Sequence, residues 1–325
     1  MEIGKVSNND LEKYVFKNIN AHRKEVLTKS SIGIDTAVLD FNGDLIVTSV
    51  DPITGANKNL GYLAINISVN DVSCQGADPV GVLISILLPA ESKLEDLNKI
   101  MEDADRACRQ NNLEIIGGHT EVTDAVNKIV LTTTVIARVN KNKMPDISSI
   151  KVGDVIAVSK DIGLEGTSII LEEKGNEFLS EDELRKESID IKDLSVLREA
   201  KIAVDFNVKY MHDVTEGGIY GALWECSEAI GKGIEVDNIK IPVKDVTKKI
   251  GSHYNINIYG LISSGSMLMV FNEEDFKAYK KVCIEKNIKI TQIGKVTEED
   301  KKILIDNGKK IEIPEPASDE LYKII

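Results

Sequence analysis

The chain is poor in the residues that build thiolate metal sites and disulfide frameworks. Its 325 residues contain four cysteines, Cys74, Cys108, Cys226 and Cys283, spread far apart and forming no C-x-x-C pair. They read as reduced, mostly packed thiols. No run of ~18 or more apolar residues occurs, so no transmembrane helix is expected. Residues 1–7 lack an apolar signal core, so a cytoplasmic location is expected and no membrane partner. Positive charge is also scarce: 40 Lys plus Arg against 53 Asp plus Glu leave a formal charge of −13. A basic face for phosphates is then hard to assemble, which argues against nucleic acid as a partner. Small anions held by glycine loops and metal stay compatible with that charge.

What is present is ordinary for a globular protein, with 42% hydrophobic and 29% charged residues. The length favours two domains. Between residues 140 and 152 the composition shifts to Lys, Asn and Ser with one Pro, which marks a linker and divides the chain into 1–145 and 146–325.

Residues 33–71 organise the first part. Three successive segments each deliver an acid: Asp35 in Gly33-Ile34-Asp35-Thr36-Ala37, Asp51 after Leu45-Ile46-Val47, and Asp71 in the pair Asn70-Asp71. Several acids at element ends invite a magnesium site, since a buried carboxylate is costly unless paired or bound to a cation. Taken singly, Asp35 and Asp71 read equally as turn or helix caps. Asn42-Gly43 between apolar runs predicts a hairpin, and Asp51-Pro52 closes its second strand. The pattern predicts helices over 8–20, 60–76 and 94–108 and strands over 80–88 and 129–139. Ser68 and Asp71 are three apart, so one helix face presents both. Gly117-Gly118-His119-Thr120-Glu121 reads as a strand entering a tight glycine turn, a weak signal by itself.

The second part opens with a strand over 154–159 and the turn Gly163-Leu164-Glu165-Gly166-Thr167-Ser168 at a helix start. That layout suits an anion, although Glu165 opposes one, and it does not match a phosphate loop ending in Gly-Lys-Ser/Thr. Met211-His212-Asp213-Val214-Thr215-Glu216-Gly217-Gly218 ends a strand and starts a helix. His212 alone reads as a structural histidine; with Asp213, Thr215 and the glycines beside it, the segment reads as a site loop. Ser263-Ser264-Gly265 makes a turn before a buried strand, followed by a helix over 273–287 and strands over 289–296 and about 310–313.

Read together, Gly33-Ile34-Asp35-Thr36-Ala37-Val38, Thr48-Ser49-Val50-Asp51, Val69-Asn70-Asp71-Val72 with Gly76-Ala77-Asp78-Pro79, Gly117-Gly118-His119-Thr120 and His212-Asp213-Val214-Thr215-Glu216-Gly217-Gly218 resemble, in order, the signature segments of the aminoimidazole ribonucleotide synthetase (PurM-like) superfamily. Within it the chain looks most like the hydrogenase maturation factors of the HypE type. The resemblance implies an α+β fold of two PurM-like domains, an N-terminal one that pairs with its copy in a homodimer and a C-terminal α+β one, with ATP held between them. It implies Mg2+ on Asp35, Asp51, Asp71 and Asp213. Nucleotide contacts would fall at Asn70, Gly117, Gly118, Thr120, Gly163, Gly166, Thr167, Thr215, Gly217 and Gly218. His119, Glu121 and His212 would be the catalytic candidates. A small-molecule substrate and a maturation partner protein are the partners so implied.

The chain departs from the pattern in three places. Ile34 stands where many relatives carry a second acid, Glu165 stands where the comparable HypE turn has histidine, and no cysteine follows Cys283. HypE-type dehydration of a carbamoyl group on the protein's own tail is therefore not expected. The leading expectation is an ATP- and magnesium-dependent enzyme that phosphorylates or activates an oxygen of a small substrate. The alternative is a nucleotide-binding or assembly protein of the same fold with reduced chemistry.

Overall fold

The computed structural model describes Asn8, Leu27 and residues 31–34, 36–40, 43–54 and 59–325. The helix expected over 8–20 and the metal candidate Asp35 lie outside the described residues. Two compact units emerge, one within Asp35–Met144 and the other comprising Pro145–Ile325 with residues 31–34.

The first unit is a five-stranded sheet in the order β1-β2-β5-β3-β4, built from β1 (Ala37–Asp40), β2 (Leu45–Ile53), β3 (Asp78–Leu88), β4 (Glu114–Val122) and β5 (Val130–Val139). All neighbours are antiparallel except β3 and β4, which run parallel around the crossover helix α2 (Leu94–Asn111). Helix α1 (Leu60–Cys74) lies on the sheet beneath α2 and is buried almost all round, which explains its lack of a polar face. A Cβ on Gly61 would meet the Ile100 carbonyl oxygen at 2.0 Å, so only glycine lets α1 approach α2 this closely. On β2 and β5 every second side chain points into this core, among them Leu45, Val47, Ser49, Leu131, Thr133 and Val135.

Opposite α1 and α2, the sheet shows its other face. There Val50 and Leu83 sit on either side of Thr134, with Gly117 beyond Leu83, and His119 lies beyond Ser85 in the next row. Val50 and Leu83 are exposed on it, and Val80, unpaired at a bulge of β3, is exposed as well.

β4 differs from expectation. The glycine pair makes no turn; it lies inside a continuous strand, beside a bulge where Ile116 has no partner on β3. Gly118 has φ +154°, and a Cβ there would meet the Ile84 carbonyl oxygen at 2.0 Å. Gly118 lets two backbones pack, which sequence punctuation alone reads as a turn.

The second unit carries a seven-stranded sheet in the order β12-β11-β8-β10-β6-β9-β7, antiparallel except between β11 and β8. Its strands are β6 (Val155–Ser159), β7 (Tyr210–Asp213), β8 (Gly233–Asp237), β9 (Met267–Phe271), β10 (Ile290–Thr297), β11 (Lys302–Asp306) and β12 (Lys309–Glu312). Its helices are α3 (Leu164–Lys174), α4 (Glu181–Glu187), α5 (Leu197–Ala203), α6 (Gly218–Ile230), α7 (Asp245–Tyr254) and α8 (Glu273–Glu285). Every residue of β9 is buried: Leu268 and Val270 join Ile219, Leu223 and Cys226 of α6, whereas Phe271 stacks on Tyr279 of α8 with centroids 4.9 Å apart. The sheet is thus covered on both faces. A second cluster joins Ile170 and Leu171 of α3, Val246 and Ile250 of α7 and Leu261, and Leu321 and Ile324 of the terminal segment pack against it. No helix among the described residues is long and apolar enough to cross a membrane.

Candidate functional site

In the first unit, period two along β2 puts Ser49 and Asp51 on the face toward α1, and α1 turns Ser68 and Asp71 down onto them. Ser49 Oγ donates to Asp71 Oδ2 through a short hydrogen bond and also lies 3.2 Å from Asp51 Oδ2. Ser68 Oγ is 2.9 Å from Asp51 Oδ2 and 2.8 Å from Thr133 Oγ1, which in turn is 3.0 Å from the Ala64 carbonyl oxygen. These five close oxygen pairs share three hydroxyl protons, one each from Ser49, Ser68 and Thr133. Ser49 has one hydroxyl proton for two carboxylate neighbours and cannot donate fully to both, a shortfall that a cation on the carboxylates would relieve. The donor set is all oxygen and holds two carboxylates, the ligand chemistry that magnesium takes. Among the described residues no three His, Cys, Asp or Glu side chains come together closely enough to hold a metal by themselves.

His119 and Glu121 stand elsewhere. They form an exposed pair, Nε2 to Oε2 3.3 Å, on the outer face of the sheet, whereas Asp51 and Asp71 lie on its inner face. Alternation along β4 dictates that, so within this unit the strand does not bring them to the acids. Thr120 pairs with Ile86 on the edge strand and is exposed, and Asn70 is fully buried in α1.

In the second unit Asp213 ends β7 and is buried, and His212 Nε2 lies 3.0 Å from Glu225 Oε2 of α6, both buried. His212 therefore belongs to the packing between β7 and α6. Gly33, with φ +73°, packs on the same stretch of α6, where a Cβ would lie 3.0 Å from the Glu225 carbonyl oxygen.

The glycine turns expected to cradle an anion have their groups engaged within the fold. The Gly163 amide donates to Ser263 Oγ, the Gly166 amide to the Ile262 carbonyl at 3.0 Å, and Thr167 Oγ1 is 2.7 Å from Thr247 Oγ1. The Gly217 amide donates to Asp319 Oδ2 at 2.8 Å and the Gly218 amide to the Thr215 carbonyl at 3.1 Å. Loops about one hundred residues away satisfy the Gly163, Gly166 and Gly217 amides, which no local motif reveals, whereas the Gly218 amide is satisfied within its own turn. Asp319 also accepts from the Ile262 and Leu321 amides at 3.1 and 2.9 Å, pinning the terminal segment to the site loop. Burial nevertheless pushes its carboxyl up to about 6, because desolvation outweighs the three donors and Glu216 adds repulsion.

Glu165 is buried in the first turn of α3. Burial raises its carboxyl to about 7, with the Asp319 and Asp213 carboxylates adding to the rise and Ser264 opposing it. The four thiols are buried, and burial lifts Cys108 to about 12 and Cys283 to about 11, so none is a ready nucleophile.

Family comparison covers most of the chain. Residues 33–139 match the N-terminal domain model, and residues 151–307 the C-terminal domain model, of AIR synthase related proteins. The chain belongs to the AIR synthase related family. Among family members, a Methanocaldococcus jannaschii protein named provisionally for hydrogenase expression/formation is 28% identical over 336 residues, covering 99% of this chain and 97% of that one. The thiamine-monophosphate kinase of Bacillus subtilis is 25% identical over 84% of this chain and 81% of its own length. The structure of a HypE–HypF complex matches with TM-score 0.78 at 22% identity, over 94% of this chain and 99% of that one. A hydrogenase maturation protein HypE in complex with ATP matches with TM-score 0.75 at 20% identity, over 98% and 97%. These likenesses establish the two-domain PurM-like α+β fold for this AIR synthase related chain.

Proposed function

We propose that this AIR synthase related chain is an ATP- and magnesium-dependent enzyme that phosphorylates or activates an oxygen of a small substrate. The observation that carries the proposal is the proton-poor oxygen cluster of Ser49, Asp51, Ser68 and Asp71, seated on rigid elements. A relative named as a kinase and a neighbour solved with ATP support it. Asp51 and Asp71 would hold the metal, with Asp35 and Asp213 as further ligands. Magnesium, when bound, neutralises phosphate charge and steadies a transferring phosphoryl group. The chain's own residues orient the acids: Ser68 and Thr133 aim Asp51, and Ser49 aims Asp71. Within residues 1–325 every cysteine is buried, so a thiol-borne version of the reaction has no exposed carrier. Calorimetric titration of ATP with magnesium tests the reading: Asp51→Asn and Asp71→Asn should each weaken binding by roughly tenfold or more. Undiminished binding in both variants sinks the metal assignment.

The second reading, a nucleotide-binding assembly protein with reduced chemistry, is favoured by the glycine amides already engaged at Gly163, Gly166 and Gly217. Incubation with γ-labelled ATP and a metabolite pool separates the two, since transfer of label to a small molecule excludes the inert reading. A homodimer built on the outer face of the first sheet would cover Val50, Val80 and Leu83. A maturation partner protein, as the HypE–HypF complex has, is part of the same proposal.

A further inference from the structure

Helix α6 meets two segments that lead to acids assigned above to the metal, and it meets both at one residue. Glu225 and Ala229 lie one turn apart on α6 and share a face. Gly33 sits on that face: a Cβ there would lie 3.0 Å from the Glu225 carbonyl oxygen and 3.4 Å from the Ala229 methyl group. Ser31 to Ile34 close a tight turn, with the Ile34 amide donating to the Ser31 carbonyl at 3.2 Å and Gly33 at φ +73°. A side chain at 33 would strain this turn and lift it from the helix. The turn belongs to the second unit, and Asp35 is the next residue in the chain after it.

The side chain of the same glutamate holds the other segment. Glu225 Oε2 accepts from His212 Nε2 at 3.0 Å, and both residues are buried. His212 precedes Asp213 on β7, and alternation sends their side chains to opposite faces of the strand. Fixing the His212 ring on α6 therefore fixes the direction in which Asp213 leaves the other side. Packing alone does not call for a glutamate here, because apolar residues of similar volume often replace a buried charged pair at no cost in stability. Apolar contact has no direction, whereas a hydrogen bond has one.

We propose that Glu225 is a positioning residue: its carboxylate, through His212, and its carbonyl, through Gly33, set Asp213 and Asp35 from one point of α6. This rests on the reading above that both acids serve the metal, and it names what aims them.

The test uses the full chain with ATP and Mn2+, whose paramagnetic resonance spectrum reports the bound metal in place of magnesium. Hydrogen exchange of residues 31–34 and 210–214 is followed on the same samples without ligand. Glu225→Leu should speed exchange over 210–214 and weaken binding of Mn2+ with ATP about tenfold or more. Glu225→Gln, whose amide oxygen still accepts from His212, should recover most of that affinity. Gly33→Ala should weaken binding as well and speed exchange over 31–34. Gly231→Ala should not, although Gly231 ends the same helix at φ +62°, because nothing among the described residues lies within 4 Å of its Cβ position. The two glycine variants also cover the case in which Glu225→Leu fails to fold. Wild-type affinity in both Glu225→Leu and Gly33→Ala, or an equal loss in Gly33→Ala and Gly231→Ala, overturns the proposal. A wild-type chain that binds neither Mn2+ nor ATP overturns the metal reading instead; faster exchange in Gly33→Ala and Glu225→Leu then upholds the shared seat, and unchanged exchange overturns it.

Discussion

Ser68 Oγ on helix α1 donates to Asp51 Oδ2 on strand β2 at 2.9 Å, and together with the bond from Ser49 to Asp71 it ties the helix motif to the strand motif. It makes the two segments one site. Removing the hydroxyl leaves a half-buried carboxylate short of a donor. Ser68→Ala should lower the stability of the first unit by about 1–3 kcal/mol, read by urea unfolding. Added magnesium should restore more stability to the variant than to wild type if the cation substitutes for the lost donor.

Acidity should act through Glu165 and Asp319. Their carboxyls rise from 4.5 to about 7 and from 3.8 to about 6, so the folded chain holds both protons more tightly than the unfolded chain. The stability they contribute is complete below the ordinary carboxylate range and is lost as pH climbs through the two raised values. The melting temperature of wild type should therefore fall between pH 5 and pH 8. Glu165→Gln should flatten that fall by at most ~3 kcal/mol. A parallel decline in the variant contradicts the assignment.

The glycine of β4 offers a sharper test of the fold. Gly118→Ala forces a methyl group onto the Ile84 carbonyl and should destabilise the first unit by roughly 2–4 kcal/mol, seen in thermal unfolding. Gly153, with φ +92° but nothing within 4 Å of its Cβ position, should cost only the backbone strain, about 1 kcal/mol.

Asp319 holds the terminal segment to two loops. Asp319→Ala leaves the Gly217 and Ile262 amides without their acceptor and should expose the segment after Ile313 to protease, while β9 and its neighbours stay protected in hydrogen exchange.

The outer sheet face makes a prediction about assembly. Leu83→Asp places a charge between Thr134 and Gly117 on the exposed outer face of the sheet. Sedimentation should then show a dimer for wild type and a monomer for the variant, with secondary structure unchanged.

The order of five short motifs was enough to assign the superfamily, because five such segments in that sequence are hard to meet by chance. Periodicity alone put Ser68 and Asp71 on one helix face and paired the strands around Asn42-Gly43, since both depend on residues close in the chain. The hairpin and helix α1 follow that reading. What lay beyond it depends on partners distant in sequence. Gly118 reads as a turn until the Ile84 backbone is seen against it. Gly163 reads as part of an anion cradle and Gly217 as part of a site loop until Ser263 and Asp319 are found on their amides. Glu165 reads as an acid opposing an anion at a helix start, and only the packing of the second unit buries it beside Ser264. A hydrogen bond formed across a hundred residues leaves no local trace in composition or spacing, so the tertiary structure alone decided how these groups are engaged.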